Sequence, residues 1–363
     1  TGVQTFALPI SRGHETQHRQ NTTSMPELGK IDEELFETII APNLGADRAD
    51  VVIGPQNGLD FGVLRIGAQA VVIATDPISI LPELGFERAG RLALDIVLAD
   101  VAVSGIAPTH VTVSLSLPPE MTDEELAAAW RGLSGHADDL GVSIVSGHTA
   151  RYEGVNYSWV GGATALGVGE QEAVVRPDGA RPGDDIIVTT GPGAEVTGLF
   201  AELFPDALAL PPETIATARE RIADIHTVED ATTVSNTGAP TAMHDATEGG
   251  VVGGLAEMAR GAGVEFRVDR DAAPMQPGVE AVCDAAGVDP WLVSSAGTLL
   301  ITAPPEQSPA IVAAIEDRDT PVAVVGTVTQ TGSEPPGVVL DGKRVEPPSS
   351  DPAWDAMATL GDE

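Results

Sequence analysis

The stretch Val71–Pro108 (VVIATDPISILPELGFERAGRLALDIVLADVAVSGIAP) constrains this chain more than any other. It reads as a buried strand over 70–74, a loop opened by Thr75-Asp76-Pro77, and a helix from about Glu87 to Ser104. The helix is apolar nearly all round, so most of its sides must be covered. Yet Asp95 and Asp100 lie inside that apolar run. Carboxylates are almost never fully buried without a partner. Asp95 has Arg91 one turn earlier as an ordinary ion-pair partner. Asp76 could cap a turn. Taken together, Asp76 and Asp100 fit a Mg²⁺ site, because Mg²⁺ takes hard oxygen ligands and bridges carboxylates to phosphates.

Charge narrows the partners. The 363 residues include 54 acidic and 19 basic ones, a net charge of −35. The acids are spread through ordinary helical and strand patterns, with too much Val, Ile, Leu and Ala for a disordered chain. Such a surface suits high salt, where self-repulsion is screened, and it lacks the basic face a nucleic acid needs. The single cysteine, Cys283, forbids a disulfide within the chain and argues against a cysteine zinc site. No segment offers 18 or more consecutive apolar residues, so no membrane span is expected; the location expected for the protein is the cytoplasm. Residues 1–24 break the pattern of the rest of the chain and read as a disordered upstream or non-native tail, with Met25 as the natural start. Residues 343–363, rich in Pro, Ser and acids, read as a flexible tail.

Between these ends, order and composition predict two α+β domains, 25–172 and 173–342, joined by the turn-rich VVRPDGARPG. Strands are expected at 51–55, 62–66, 110–117 and 142–145, a helix over 121–140 capped by Thr122, and a Gly-rich strand pair over 157–168. No GxxxxGK[ST] loop and no dinucleotide GxGxxG occurs. GPGAEVTG (191–198) is a weak phosphate-loop candidate through Gly193, more simply read as a plain strand-to-helix turn whose helix N-terminus is free to take an anion. SGHT (146–149) is placed at a strand end. HDATEGG (244–250) crowds a histidine, two carboxylates, a threonine and two glycines before a helix, more than capping requires.

On these residues the chain resembles the PurM/AIR-synthase-related ATP-binding superfamily. The resemblance rests on Gly58-Leu59-Asp60, Thr75-Asp76, Ala99-Asp100 through Pro108, Gly147-His148-Thr149, His244 to Gly250 and Gly287-Val288-Asp289-Pro290, in that order. HDATEGG and GHT place it nearest the HypE-like (hydrogenase expression/formation) branch. The resemblance implies an N-terminal sheet that pairs with a partner's in a homodimeric barrel, a C-terminal α+β sandwich, and Mg·ATP between them. It implies Asp60, Asp76, Asp100 and Asp245 as metal ligands. It further implies Arg91, Gly147, Thr149, Gly193, Thr247 and Gly249 as nucleotide contacts, with His148 and His244 as acid/base candidates. Departures are Ala99 for the family's Asn, GLDFG in the acidic loop, His148 for Asp, and a sequence ending Leu360-Gly361-Asp362-Glu363 without the branch's C-terminal cysteine. Neither an N-terminal Cys nor a Lys pair is present for selenophosphate chemistry.

The expectation is therefore ATP-driven phosphoryl transfer to an oxygen of a small substrate. The alternatives are a thiamine-monophosphate kinase and a non-catalytic nucleotide-binding maturation or regulatory protein.

Overall fold

The computed structural model describes residue 31 and residues 33–56 and 58–361. The expectations for residues 1–24 and for Asn57 lie outside the described residues. The first half holds α1 (Glu33–Leu35), which continues in π and 3₁₀ turns, then β1 (Val51–Ile53), β2 (Gly62–Ile66), β3 (Gln69–Ile78), α2 (Phe86–Ala102), β4 (Pro108–Leu117), α3 (Asp123–Asp139), β5 (Ser143–Arg151) and β6 (Gly161–Glu170). The second holds β7 (Asp185–Thr189), α4 (Ala194–Leu203), α5 (Pro212–Arg219), α6 (Thr227–Thr237), β8 (Ala242–Asp245), α7 (Gly250–Ala262), β9 (Val264–Val268), α8 (Val279–Ala286), β10 (Leu299–Ala303), α9 (Ser308–Glu316), β11 (Val322–Gln330), β12 (Gly337–Leu340), β13 (Lys343–Val345) and α10 (Pro352–Gly361). Among the described residues the first sheet runs β1-β2-β3-β6-β4-β5 and the second β13-β12-β9-β11-β7-β10-β8.

Helix α2 is the keystone. Its Leu94, Val97, Leu98 and Val101 join one core with the inner face of the first sheet (Val72, Val111, Ala165) and that of the second (Ile187, Met243, Leu299). Each such side chain contributes about 1.5–3 kcal/mol on burial, and from Ala93 to Ala102 the helix is almost wholly covered, whereas Glu87 and Arg88 in its first turn stay exposed. Alternation in β7 sends Ile186 and Val188 the other way, into a second core under α7. At the α2–α3 crossing, side chains are excluded altogether. A Cβ on Gly90 would sit 2.0 Å from the Ala129 carbonyl oxygen, and one on Gly132 would sit 1.8 Å from that of Glu87. Thr122 caps α3 with Glu125 in a reciprocal capping box, as its sequence predicts.

Five expectations need correction. Asp95 does not pair with Arg91. It is buried against α3, where His136 Nε2 lies 3.0 Å from its Oδ1, while Arg91 reaches Asp139 of α3 at 3.4 Å. Strand β3 does not stop at Ala74: it pairs with β6 through Asp76↔Ala163 and Ile78↔Gly161, whereas β2 stops opposite Ile73. Pro77 is tolerated there because β2 asks for no hydrogen bond at its position. SGHT lies inside edge strand β5, and the 157–168 pair is one 3₁₀ turn and the single strand β6. Residues 343–345 and 352–361 form β13 and α10 rather than a flexible tail. Ala353, Ala356 and Leu360 are buried against α4, α5 and α8, which a composition-based reading cannot see.

Candidate cation and nucleotide site

Four carboxylates meet where the halves face each other. Asp60 precedes Phe61, which is anchored in the core. Its loop turns at Gly58, in the left-handed region at φ +72°, where a Cβ would touch Cβ of Glu257 on α7 at 3.5 Å. Asp76 stands near the end of β3, Asp100 in the last turn of α2, and Asp245 is the last residue of β8. Asp100 and Asp95, five positions apart, lie about 140° apart around α2. One therefore faces α3 and the other faces the second half.

The electrostatics of this cluster are unfavourable in a defined way. Asp100 is 9% exposed, and its carboxyl is held well above the usual carboxylate range. Burial is the main cause, followed by the charges of Asp60, Asp245 and Asp76 and a hydrogen bond with Asp76. The Oδ1 of Asp245 is buried and makes no hydrogen bond, with His244 Nδ1 beside it at 3.4 Å. One ligand atom each from Asp60, His244 and Asp245 lies within 4.8 Å of the others. The carboxylate oxygens of Asp60 and Asp245 in that group, with Asp76 and Asp100 beside them, are the hard donors a Mg²⁺ ion takes. The residues present therefore fit that ion.

His244 is already committed. Its Nδ1 faces the Asp245 carbonyl oxygen at 2.6 Å, and its Nε2 faces Glu257 Oε2 at 3.0 Å and Asp60 Oδ2 at 3.3 Å. Burial works against its charge, but the carboxylates of Asp60, Asp245 and Glu257 outweigh burial and hold its pKa well above the ordinary value. With acceptors at both nitrogens it is a fixed cation joining the halves, with no lone pair free to take a proton.

The other expected contacts do not gather here. Arg91 lies nine residues before Asp100, about 13 Å along the helix. Gly147 shares a row with Asp76 through Ala163 and Val113, three strand spacings or about 14 Å away. His148 and Thr149 are exposed beside it, His148 Nε2 lying 3.2 Å from the Tyr152 hydroxyl. Gly193 N–H donates to Ser295 Oγ at 2.7 Å, Gly249 N–H to Asp351 Oδ2 at 3.0 Å, and the Thr247 carbonyl accepts from Gly250. The phosphate-facing donors expected at the two glycine turns are thus occupied by the chain itself.

Sequence reading missed Glu257, Glu195 and Asp351. Glu257 carried the same signal as Asp100, a carboxylate inside the apolar run VVGGLAEMA. Glu195 is buried at the start of α4 and accepts from Ser294 Oγ at 2.7 Å and Ala296 N–H at 2.9 Å. Nothing local marks it, because its partners are 99 and 101 residues away.

Residues 58–168 match the family described as AIR synthase related protein, N-terminal domain, and residues 181–337 its C-terminal domain. A protein of Methanocaldococcus jannaschii named for hydrogenase expression/formation is 25% identical over 338 residues, 89% of this chain and 96% of its own. A selenide, water dikinase of Citrifermentans bemidjiense is 31% identical over 244 residues, 66% of this chain and 67% of its own. A solved structure of the hydrogenase maturation protein HypE in complex with ATP aligns with a TM-score of 0.60 at 21% identity, covering 87% of this chain and 91% of that one.

Proposed function

The chain belongs to the AIR synthase-related family, and from that premise we propose that it is a Mg²⁺-dependent, ATP-using enzyme that transfers a phosphoryl group to an oxygen of a small substrate. One observation supports this above the others: carboxylates from both halves converge at Asp60, Asp76, Asp100 and Asp245 with the electrostatics of a cation site. In this reading those four hold Mg²⁺, which when bound neutralises phosphate charge. His244 and Glu257 fix Asp60 against α7, so ligand binding at the cluster also draws the two halves together. His148 is too far away to take part in acid/base chemistry at the cluster of the same subunit. The one cysteine of the sequence, Cys283, is buried and its thiol is pushed up to about 12 by burial, so it supplies no thiolate acceptor. We further propose two copies paired through the first sheet, and a cytoplasmic protein adapted to high salt. Among the described residues no helix is long and apolar enough to cross a membrane.

The test is ³¹P NMR of Mg·ATP with the protein in molar KCl, alone and with thiamine monophosphate, carbamoyl phosphate or purine-pathway intermediates. ADP formation that rises with one acceptor and vanishes in Asp100→Asn is the expected result. ATP that neither binds nor turns over in the wild type refutes the reading. Binding that depends on Mg²⁺ without turnover refutes the enzyme and leaves a nucleotide-sensing partner.

A further inference from the structure

The loop Ser294–Ala296 lies directly behind Asp245, and almost every polar atom of it is taken. Ser295 N–H donates to the carbonyl of Ala246, the residue after Asp245, at 2.9 Å. Ser295 Oγ accepts from Gly193 N–H. Glu195 accepts from both Ser294 Oγ and Ala296 N–H. Ser294 N–H donates at 2.8 Å to Oδ2 of Asp351, which comes from the C-terminal segment. The same oxygen accepts from Gly249 N–H, and its Oδ1 accepts from Ala353 N–H at 2.8 Å. Asp351 is 5% exposed and its carboxyl is raised, chiefly by burial. One carboxylate thus ties three separate stretches: the end of the 244–250 turn, the loop behind Asp245, and α10.

We infer that Asp351 is a positioning residue for the cation site, making the C-terminal segment a working part of that site. It touches none of the reacting groups. It holds Gly249 and Ser294 so that the end of β8 presents Asp245 toward Asp60 and Asp100. Gly249 suits this role: it sits at φ +79°, and a Cβ there would reach Pro348 of the same segment at 3.7 Å. Residues that orient metal ligands typically set affinity by ten- to a hundredfold. The inference rests on the cation-site reading above.

The experiment is Mn²⁺ titration of the full-length protein, with free Mn²⁺ counted by electron paramagnetic resonance and thermal unfolding measured in EDTA. Asp351→Asn keeps the side-chain size but offers one oxygen for three N–H donors. It should weaken Mn²⁺ binding about tenfold or more. The second variant, Asp351→Glu, keeps both oxygens but displaces them by one methylene, and should weaken Mn²⁺ binding severalfold. Asp230→Asn is the control: this buried carboxylate serves Arg318 and Thr320 instead, and should lower the melting temperature without moving Mn²⁺ affinity. If Asp351→Asn and Asp351→Glu unfold at lower temperature yet bind Mn²⁺ within twofold of wild type, Asp351 is a structural cap only and the inference is overturned. Wild-type protein that binds no Mn²⁺ overturns the cation site itself, a distinguishable failure.

Discussion

Replacing Asp245 by Asn should change the stability of the metal-free protein little and remove most of the stabilisation that Mg²⁺ gives. The carboxylates of Asp60 and Asp245 approach within 4.8 Å. At an effective dielectric constant near 20, two unit charges at that distance repel by about 3.5 kcal/mol. His244 opposes this: its Nδ1 lies 3.4 Å from Asp245 Oδ1, and on the same scale that attraction is about 5 kcal/mol. The two nearly cancel, so Asp245→Asn is expected to change stability in EDTA by no more than about 2 kcal/mol. The difference lies in the response to Mg²⁺. Wild type gains about 2.7 kcal/mol at a hundred times the dissociation constant, and the variant, short of a ligand, loses most of that gain. The assay is thermal unfolding of both proteins in EDTA and across a Mg²⁺ titration, in constant molar KCl. Salt screens exposed charges far more than buried ones, so the difference survives those conditions. A variant whose unfolding temperature rises with Mg²⁺ as much as that of the wild type refutes the idea that Asp245 helps to hold a cation at this cluster.

Three further outcomes rest on the geometry. Gly132→Ala forces a Cβ to within 1.8 Å of the Glu87 carbonyl oxygen; despite about 1 kcal/mol of helix propensity in its favour, it should lower the denaturant midpoint by several kcal/mol in equivalent stability. His136→Ala leaves the Asp95 carboxylate buried without its partner and should cost about 3–5 kcal/mol at pH 8. Burial lifts the Asp95 carboxyl above its unfolded value, so its contribution to stability is full below the unfolded pKa and is lost as pH rises through the folded one. Urea unfolding at pH 5 should accordingly show a smaller penalty than at pH 8, and an equal penalty at both would disprove that assignment. Arg91→Ala should leave ATP affinity by calorimetry within twofold, because Arg91 serves Asp139 on the surface; a tenfold loss would mean that it reaches the nucleotide after all.

Much of the architecture was legible along the chain because the signals were local. Apolar periodicity located α2 and most strands, and Thr122 with Glu125 fixed the start of α3. The resemblance, residue by residue, gathered Asp60, Asp76, Asp100 and Asp245, and the structure brings those four together. What the sequence could not reveal concerns partners. Asp95 chose His136, 41 positions on, over Arg91 on its own helix, because α2 and α3 cross on bare glycine backbone and leave that carboxylate facing the next helix. Gly193 and Gly249 looked free to bind phosphate, but Ser295 and Asp351, about a hundred residues away, had taken their donors.

By itself, then, the sequence determined the element types, the order of the acidic motifs and the family, since each rests on residues a few positions apart. Only the tertiary structure decided which charges face one another. Coulomb and hydrogen-bond energies depend on distances of a few ångströms, and those distances are set by which helix faces and strand ends the two halves bury together.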